Sequence, residues 1–255
     1  MGGRGLERKR VKAADILYQR WEDLPFQRLS FLLKLIPLID WDKKEDWMNT
    51  FCKNLALKNI FKEKKLYRIT TAEQRVDLIN HEMKWLREIT HKFLIPSLYS
   101  LKAPKDGLTD ITIERLAEAD TRISRYLISG RESYMHTFLA CLYQDDEPFS
   151  EENMLESAKK LAKVEPWKKI SIIRSYMGSR MRMNEKLKEL FPPGSTSTKK
   201  TLPSVKDSGP LWESLIHELA NTPAYRGMET AKKANAWEAL TYMDREIKKI
   251  KKTTK

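Results

Sequence analysis

Four histidines, two cysteines and a scatter of carboxylates are the side chains of this 255-residue chain with chemistry beyond packing. His81-Glu82 opens the zinc-protease spacing H-E-x-x-H, in which two imidazoles one helical turn apart hold a metal and the glutamate handles a proton. Position 85 is Trp85, so the second ligand is missing. His91 follows His81 by ten residues, about 15 Å along a helix axis, too far for both to hold one ion. Asp42, Glu45 and Asp46 crowd an expected helix N-terminus, where carboxylates serve the dipole. Cys52 and Cys141 fall inside apolar helical patterns and predict buried thiols. Nucleophile elbows, phosphate-binding glycine loops and nucleophile-base-acid strings are missing. The expectation is a protein that is not an enzyme, with no metal, no cofactor and no small-molecule substrate implied.

Charge placement says more. The chain carries a net charge of +13. Arg4, Arg8, Lys9, Arg10 and Lys12 face only Glu7 in residues 1–12, and Arg245, Lys248, Lys249, Lys251, Lys252 and Lys255 face only Glu246 in residues 245–255. Terminal arms of this kind suit polyanions, whose phosphates ask for charge density and reach rather than a rigid shape. Between them lies one dense internal cluster: Lys53, Lys58, Lys62, Lys64, Lys65 and Arg68 against Glu63, with Phe61 and Tyr67 interleaved. Cations alternating with rings are what a single-stranded nucleic-acid groove uses, the rings stacking on bases while the cations hold phosphates. Candidate nucleic-acid contacts are therefore Arg4, Arg8, Lys9, Arg10, Lys12, Lys58, Lys62, Lys64, Lys65, Tyr67, Arg68, Lys248, Lys249, Lys251 and Lys252. A solvated helix end would also account for the internal cluster, and a solubilising tail for the terminal one.

The elements that must position these groups read as helices throughout. Apolar residues recur at helical spacing over 6–22, 26–36, 42–61, 71–95, 109–129, 131–144, 150–163 and 166–191. Pro25 and Pro166 open two of these segments, Thr71 and Ser150 sit at expected N-caps, and Gly130 closes the 109–129 helix. Phe26 to Ile36 is apolar almost all round and reads as the most buried segment. Gly178 and Ser179 fall mid-helix, predicting a bend or a close approach. Residues 192–209 hold Pro192, Pro193, Gly194, Pro203 and Gly209 among Ser, Thr and Lys, the composition of a flexible linker. Past it, a helix begins at Pro210, and a last one near Met228 carries Ala236, Leu240, Met243, Ile247 and Ile250 on one stripe, with Trp237 as a second anchor. The division expected is a basic arm at 1–12, a helical body at 13–191, the linker at 192–209 and a helical segment with a basic tail at 210–255.

The order Leu215-Ile216-x-x-Leu219, Pro223, Tyr225-Arg226 and Ala236-Trp237-Glu238-Ala239-Leu240 resembles three-helix DNA-binding modules of the MADF or Myb type over about forty residues. The spacing between Pro223 and Trp237 departs from those modules, so no functional residue is carried over. No apolar run approaches the roughly 18 residues of a membrane span, and the N-terminus is too charged for a secretory h-region, which predicts a cytoplasmic or nuclear protein or a virion-associated one.

The expected fold is all-α, a multi-helix body with a linker-tethered C-terminal helical segment. The expected function is non-enzymatic binding of nucleic acid, RNA or single-stranded, through phosphates, in a packaging or nucleocapsid-like role. The alternative is a matrix-like or scaffold protein that self-assembles through its helices and touches anionic membrane with its N-terminus; the 228–250 helix is also a candidate for self-association. Met1-Gly2-Gly3 followed by basic residues suits acylation plus electrostatic attachment, although Leu6 stands where Ser or Thr is wanted.

Overall fold

The computed structural model describes residues 17–36, 39, 47–62, 89–144, 149–192 and 208–253. Over them the chain is all-α apart from one two-stranded hairpin. Two compact units divide between Glu88 and Ile89.

In the N-terminal unit, Pro25 presets the backbone at the start of α1, Phe26–Leu35, and α2 runs Trp47–Ile60. Arg28 of α1 ties the unit together. Its guanidinium donates to the carbonyls of Phe61 and Lys62, which close α2, and lies 5.4 Å from the Tyr18 ring centroid. The Tyr18 amide donates to Ile60 O at 3.0 Å. Leu32, Leu33, Ala56, Leu57, Ile60 and Phe61 form the dry interior. Two expectations change here. Residues 17–22, the described end of the expected 6–22 helix, hold only the start of a 3-10 turn, Trp21–Asp23, because Leu17 and Tyr18 pair with the end of α2. And α1 is not the most buried helix, since Phe26 and Phe31 reach solvent. The expected caps at Asp42 and Thr71, and His81, lie outside the described residues.

The C-terminal unit is built round α3, Ile113–Ser129. Thr112 accepts from the Arg115 amide at its start, and Gly130, at φ 65°, closes it with an amide bond to Tyr126 O at 2.7 Å. The next helix, α4 at Glu132–Leu142, is the most buried among the described residues, with Met135 and Phe138 to Leu142 all but sealed. Its last carbonyls, on Cys141 and Leu142, accept from the Arg115 guanidinium at 3.1 Å each, and burial lowers the pKa of Arg115. Then come α5, Glu151–Leu161, capped by Ser150, and α6, Pro166–Lys186, opened by its proline as expected. Cys52 and Cys141 are buried free thiols.

Residues 89–96 are not the end of a helix. They form an irregular strap whose polar groups are taken by distant partners: His91 O accepts from Gly107 N at 2.9 Å and from Ser179 Oγ at 3.1 Å, and Phe93 N donates to Asp106 Oδ1 at 2.9 Å. Pro96 already biases Ile95 away from helix. The strap leads into strands β1, Ser97–Leu98, and β2, Leu101–Lys102, which the sequence pattern did not announce.

Helix α6 ends at Lys186, five residues short of expectation, because Asp244 Oδ1 accepts from the amides of Glu189 and Leu190 at 2.9 Å and holds them in a turn. Beyond residues 193–207, α7 spans Ser208–Ala220, so 208 and 209 of the expected linker are helical. The expected single helix from Met228 is two, α8 at Met228–Lys233 and α9 at Ala236–Thr253. Ala234 and Asn235 break away to pair with the start of α3: Ile113 N donates to Ala234 O and Ala236 N to Ile111 O, both at 2.9 Å. The Trp237 indole donates to Gly107 O at 2.7 Å and the Trp212 indole to Asp120 Oδ2 at 3.1 Å. The C-terminal helices thus share one compact unit with residues 89–192. Among the described residues no helix is long and apolar enough to cross a membrane.

Candidate nucleic-acid interface

Lys58 and Lys62 are the members of the internal basic cluster that the structure describes among the candidate contacts; Lys64, Lys65, Tyr67 and Arg68, with Arg4, Arg8, Lys9, Arg10 and Lys12 of the N-terminal arm, lie outside the described residues. Both are exposed at the C-terminal end of α2, where the helix dipole favours cations. Lys58 borders a cleft of about 270 Å³ whose other walls are Arg28, Phe31, Leu55 and Asn59. Phe31 is part-exposed, with 38% of the residue open to solvent. The Asn59 amide nitrogen donates to Leu55 O at 2.8 Å, which fixes that wall. Two apolar side chains, Phe31 and Leu55, are thereby gathered on the α1–α2 face with Lys58 and the carbonyl-bound Arg28.

Sequence reasoning found Lys58 from its charge run but missed Arg28, Phe31 and Asn59. Their signal was indirect. The buried face of α1 is filled by Leu29, Leu32, Leu33 and Leu35, which leaves the two rings, Phe26 and Phe31, at the surface.

The tail lysines lie in the other unit. Lys248, Lys249, Lys251 and Lys252 are all exposed on the last turns of α9. Lys249 Nζ pairs with Glu246 at 2.6 Å, a bond that raises its pKa, and Lys251 Nζ pairs with Glu189 at 2.8 Å. The apolar stripe is buried at Ala236, Leu240 and Met243, and Ile250 is open among the lysines.

Two further polar clusters occupy the C-terminal unit. Glu132 accepts from Lys169 Nζ at 2.6 Å, and the same amine lies 3.4 Å from His136 Nε2. The lysine hydrogen bond lowers the Glu132 pKa, while burial first and the lysine charge second lower that of His136. In the second cluster Asp120 receives Tyr176, Arg180 and Trp212 together. Both its oxygens are occupied by donors on neighbouring helices. Among the described residues no group of three or more His, Cys, Asp or Glu side chains is placed to hold a metal.

No protein-family model, no curated protein and no solved structure matches this chain.

Proposed function

We propose that this chain is a non-enzymatic nucleic-acid-binding protein that takes RNA or another single strand through phosphate contacts. The observation that carries the reading is the Phe31 cleft, where part-exposed Phe31 and Leu55 adjoin exposed Lys58 and the carbonyl-bound Arg28. Single strands ask for that pairing of a base-stacking surface with phosphate-holding cations. The terminal basic arms add charge density that a polyanion would use. On this reading the protein acts in the cytoplasm or nucleus, and a packaging or nucleocapsid-like role, with copies associating in a virion, is its fullest form.

Fluorescence anisotropy with a labelled single-stranded oligoribonucleotide across a salt series tests it. Wild type binds, and Lys58→Gln with Lys62→Gln lowers the log-affinity against log-salt slope by about 1.4, at about 0.7 per lost contact. Absence of binding at low salt overturns the reading, and co-sedimentation with anionic vesicles in its place supports the matrix-like scaffold.

A further inference from the structure

Tyr99 stands at the turn of the β1–β2 hairpin in a left-handed backbone conformation, φ 55°, with 64% of the residue exposed. Ser97 pairs with Lys102 and Leu98 with Leu101, so Tyr99 and Ser100 alone make the turn. Two-residue hairpin turns ask for positive φ, which Gly, Asn and Asp supply with least strain. A tyrosine there crowds its own Cβ against the backbone, and at this exposure its ring recovers little by burial.

The mount beneath it is firm. Leu98 and Leu101 are buried, Lys102 N donates to Gln144 O at 3.0 Å, and Ala103 N donates to Pro96 O at 3.0 Å. Facing solvent are Ser97, Tyr99, Ser100 and Lys102, with Lys105 exposed shortly after; the Lys105 amide donates to Asp110 at 2.8 Å. Folding does not explain this choice, since asparagine would suit the turn better and forfeit little packing. Strain of this kind persists where the side chain is needed for something else.

We infer that Tyr99 is a stacking platform for an unpaired base of a single-stranded nucleic acid. This surface belongs to the C-terminal unit, shares no residue with the Phe31 cleft, and rests on the nucleic-acid reading proposed above. A tyrosine ring on a rigid mount offers a large face with little side-chain freedom to lose on stacking.

The test is the same anisotropy titration, run on Tyr99→Asn and Tyr99→Phe beside wild type, with thermal unfolding of each. Tyr99→Asn weakens binding by about 5- to 150-fold, the range for one stacked base. Its salt slope is unchanged, because no ionic contact is lost, and its unfolding midpoint is no lower than that of wild type. Tyr99→Phe binds like wild type. Wild-type affinity in Tyr99→Asn, while the Lys58 and Lys62 variant still loses slope, removes Tyr99 and leaves the Phe31 cleft standing. A fall in the Tyr99→Asn midpoint shows the ring is held for folding and overturns the inference. Failure of wild type to bind at low salt takes the nucleic-acid reading and this surface down together.

Discussion

Asp120 holds three helices with one carboxylate. Oδ1 receives the Tyr176 hydroxyl at 2.5 Å and Arg180 Nε at 3.2 Å, while Oδ2 receives the second arm of Arg180 at 3.0 Å and the Trp212 indole at 3.1 Å. Arg180 also stacks between the Phe191 and Trp212 rings, at 5.5 and 5.4 Å. Burial first, and then the Asp120 charge, keeps the Tyr176 pKa well above the usual phenol range, so the hydroxyl stays a donor. The Asp120 and Arg180 side chains are only 16% and 13% exposed, so water cannot replace the contacts cheaply. Truncation strands a buried guanidinium, a hydroxyl and an indole N–H at once. Asp120→Ala is expected to cost about 3–5 kcal/mol, roughly 6–20 °C in the thermal midpoint of a unit this size. Asp120→Asn keeps an acceptor and a donor in place and loses less. A midpoint for Asp120→Ala within about 2 °C of wild type would show that the node contributes no net stability.

At the scale of elements, the strap at 89–96 and helix α6 define one another. A Cβ added to Gly178 would stand 2.2 Å from Thr90 O and 2.5 Å from its carbonyl carbon, so backbone rather than a flexible side chain would have to move. Alanine normally stabilises a helix by about 1 kcal/mol over glycine. Here the clash dominates, and Gly178→Ala is expected to destabilise by about 1–3 kcal/mol. The strap should also lift, with faster hydrogen exchange at the Gly107 amide that donates to His91 O and at the Phe93 amide that donates to Asp106. Equal or greater stability in chemical denaturation would refute this. Local chemistry in this region was legible in the sequence: Ser150, Pro166 and Gly130 do what their types imply, and Gly178 announced a close approach. Its partner was not legible, because Thr90 lies 88 residues away and Ile89, Phe93 and Leu94 mimic a helical stripe. The site divides in the same way. Lys58 showed in a local charge run, whereas Arg28 and Phe31 meet it only through the packing of α1 on α2.

For the whole molecule, the question is how much of the +13 charge is available to a polyanion. The sequence treats the four tail lysines as equivalent, and the structure separates them. Lys249 and Lys251 already hold Glu246 and Glu189, while Lys248 and Lys252 stand exposed on the same turns of α9. Exposed ion pairs of this kind contribute about 0–1 kcal/mol, so phosphate can displace them but gains less by doing so. Only a fraction of a counterion-release contact is then recovered at Lys249 and Lys251, because each must first give up its carboxylate. Lys248→Gln with Lys252→Gln is therefore expected to lower the salt slope of single-strand binding by about 1.4. The matched variant, Lys249→Gln with Lys251→Gln, lowers it by clearly less. Neither should shift thermal stability much, since the apolar stripe that seats α9 is buried upstream at Ala236, Leu240 and Met243. Equal slopes for the two variants would mean that the carboxylates do not compete. Wild-type slope and affinity in both would remove the tail from binding and leave the Phe31 cleft and the Tyr99 hairpin to carry it.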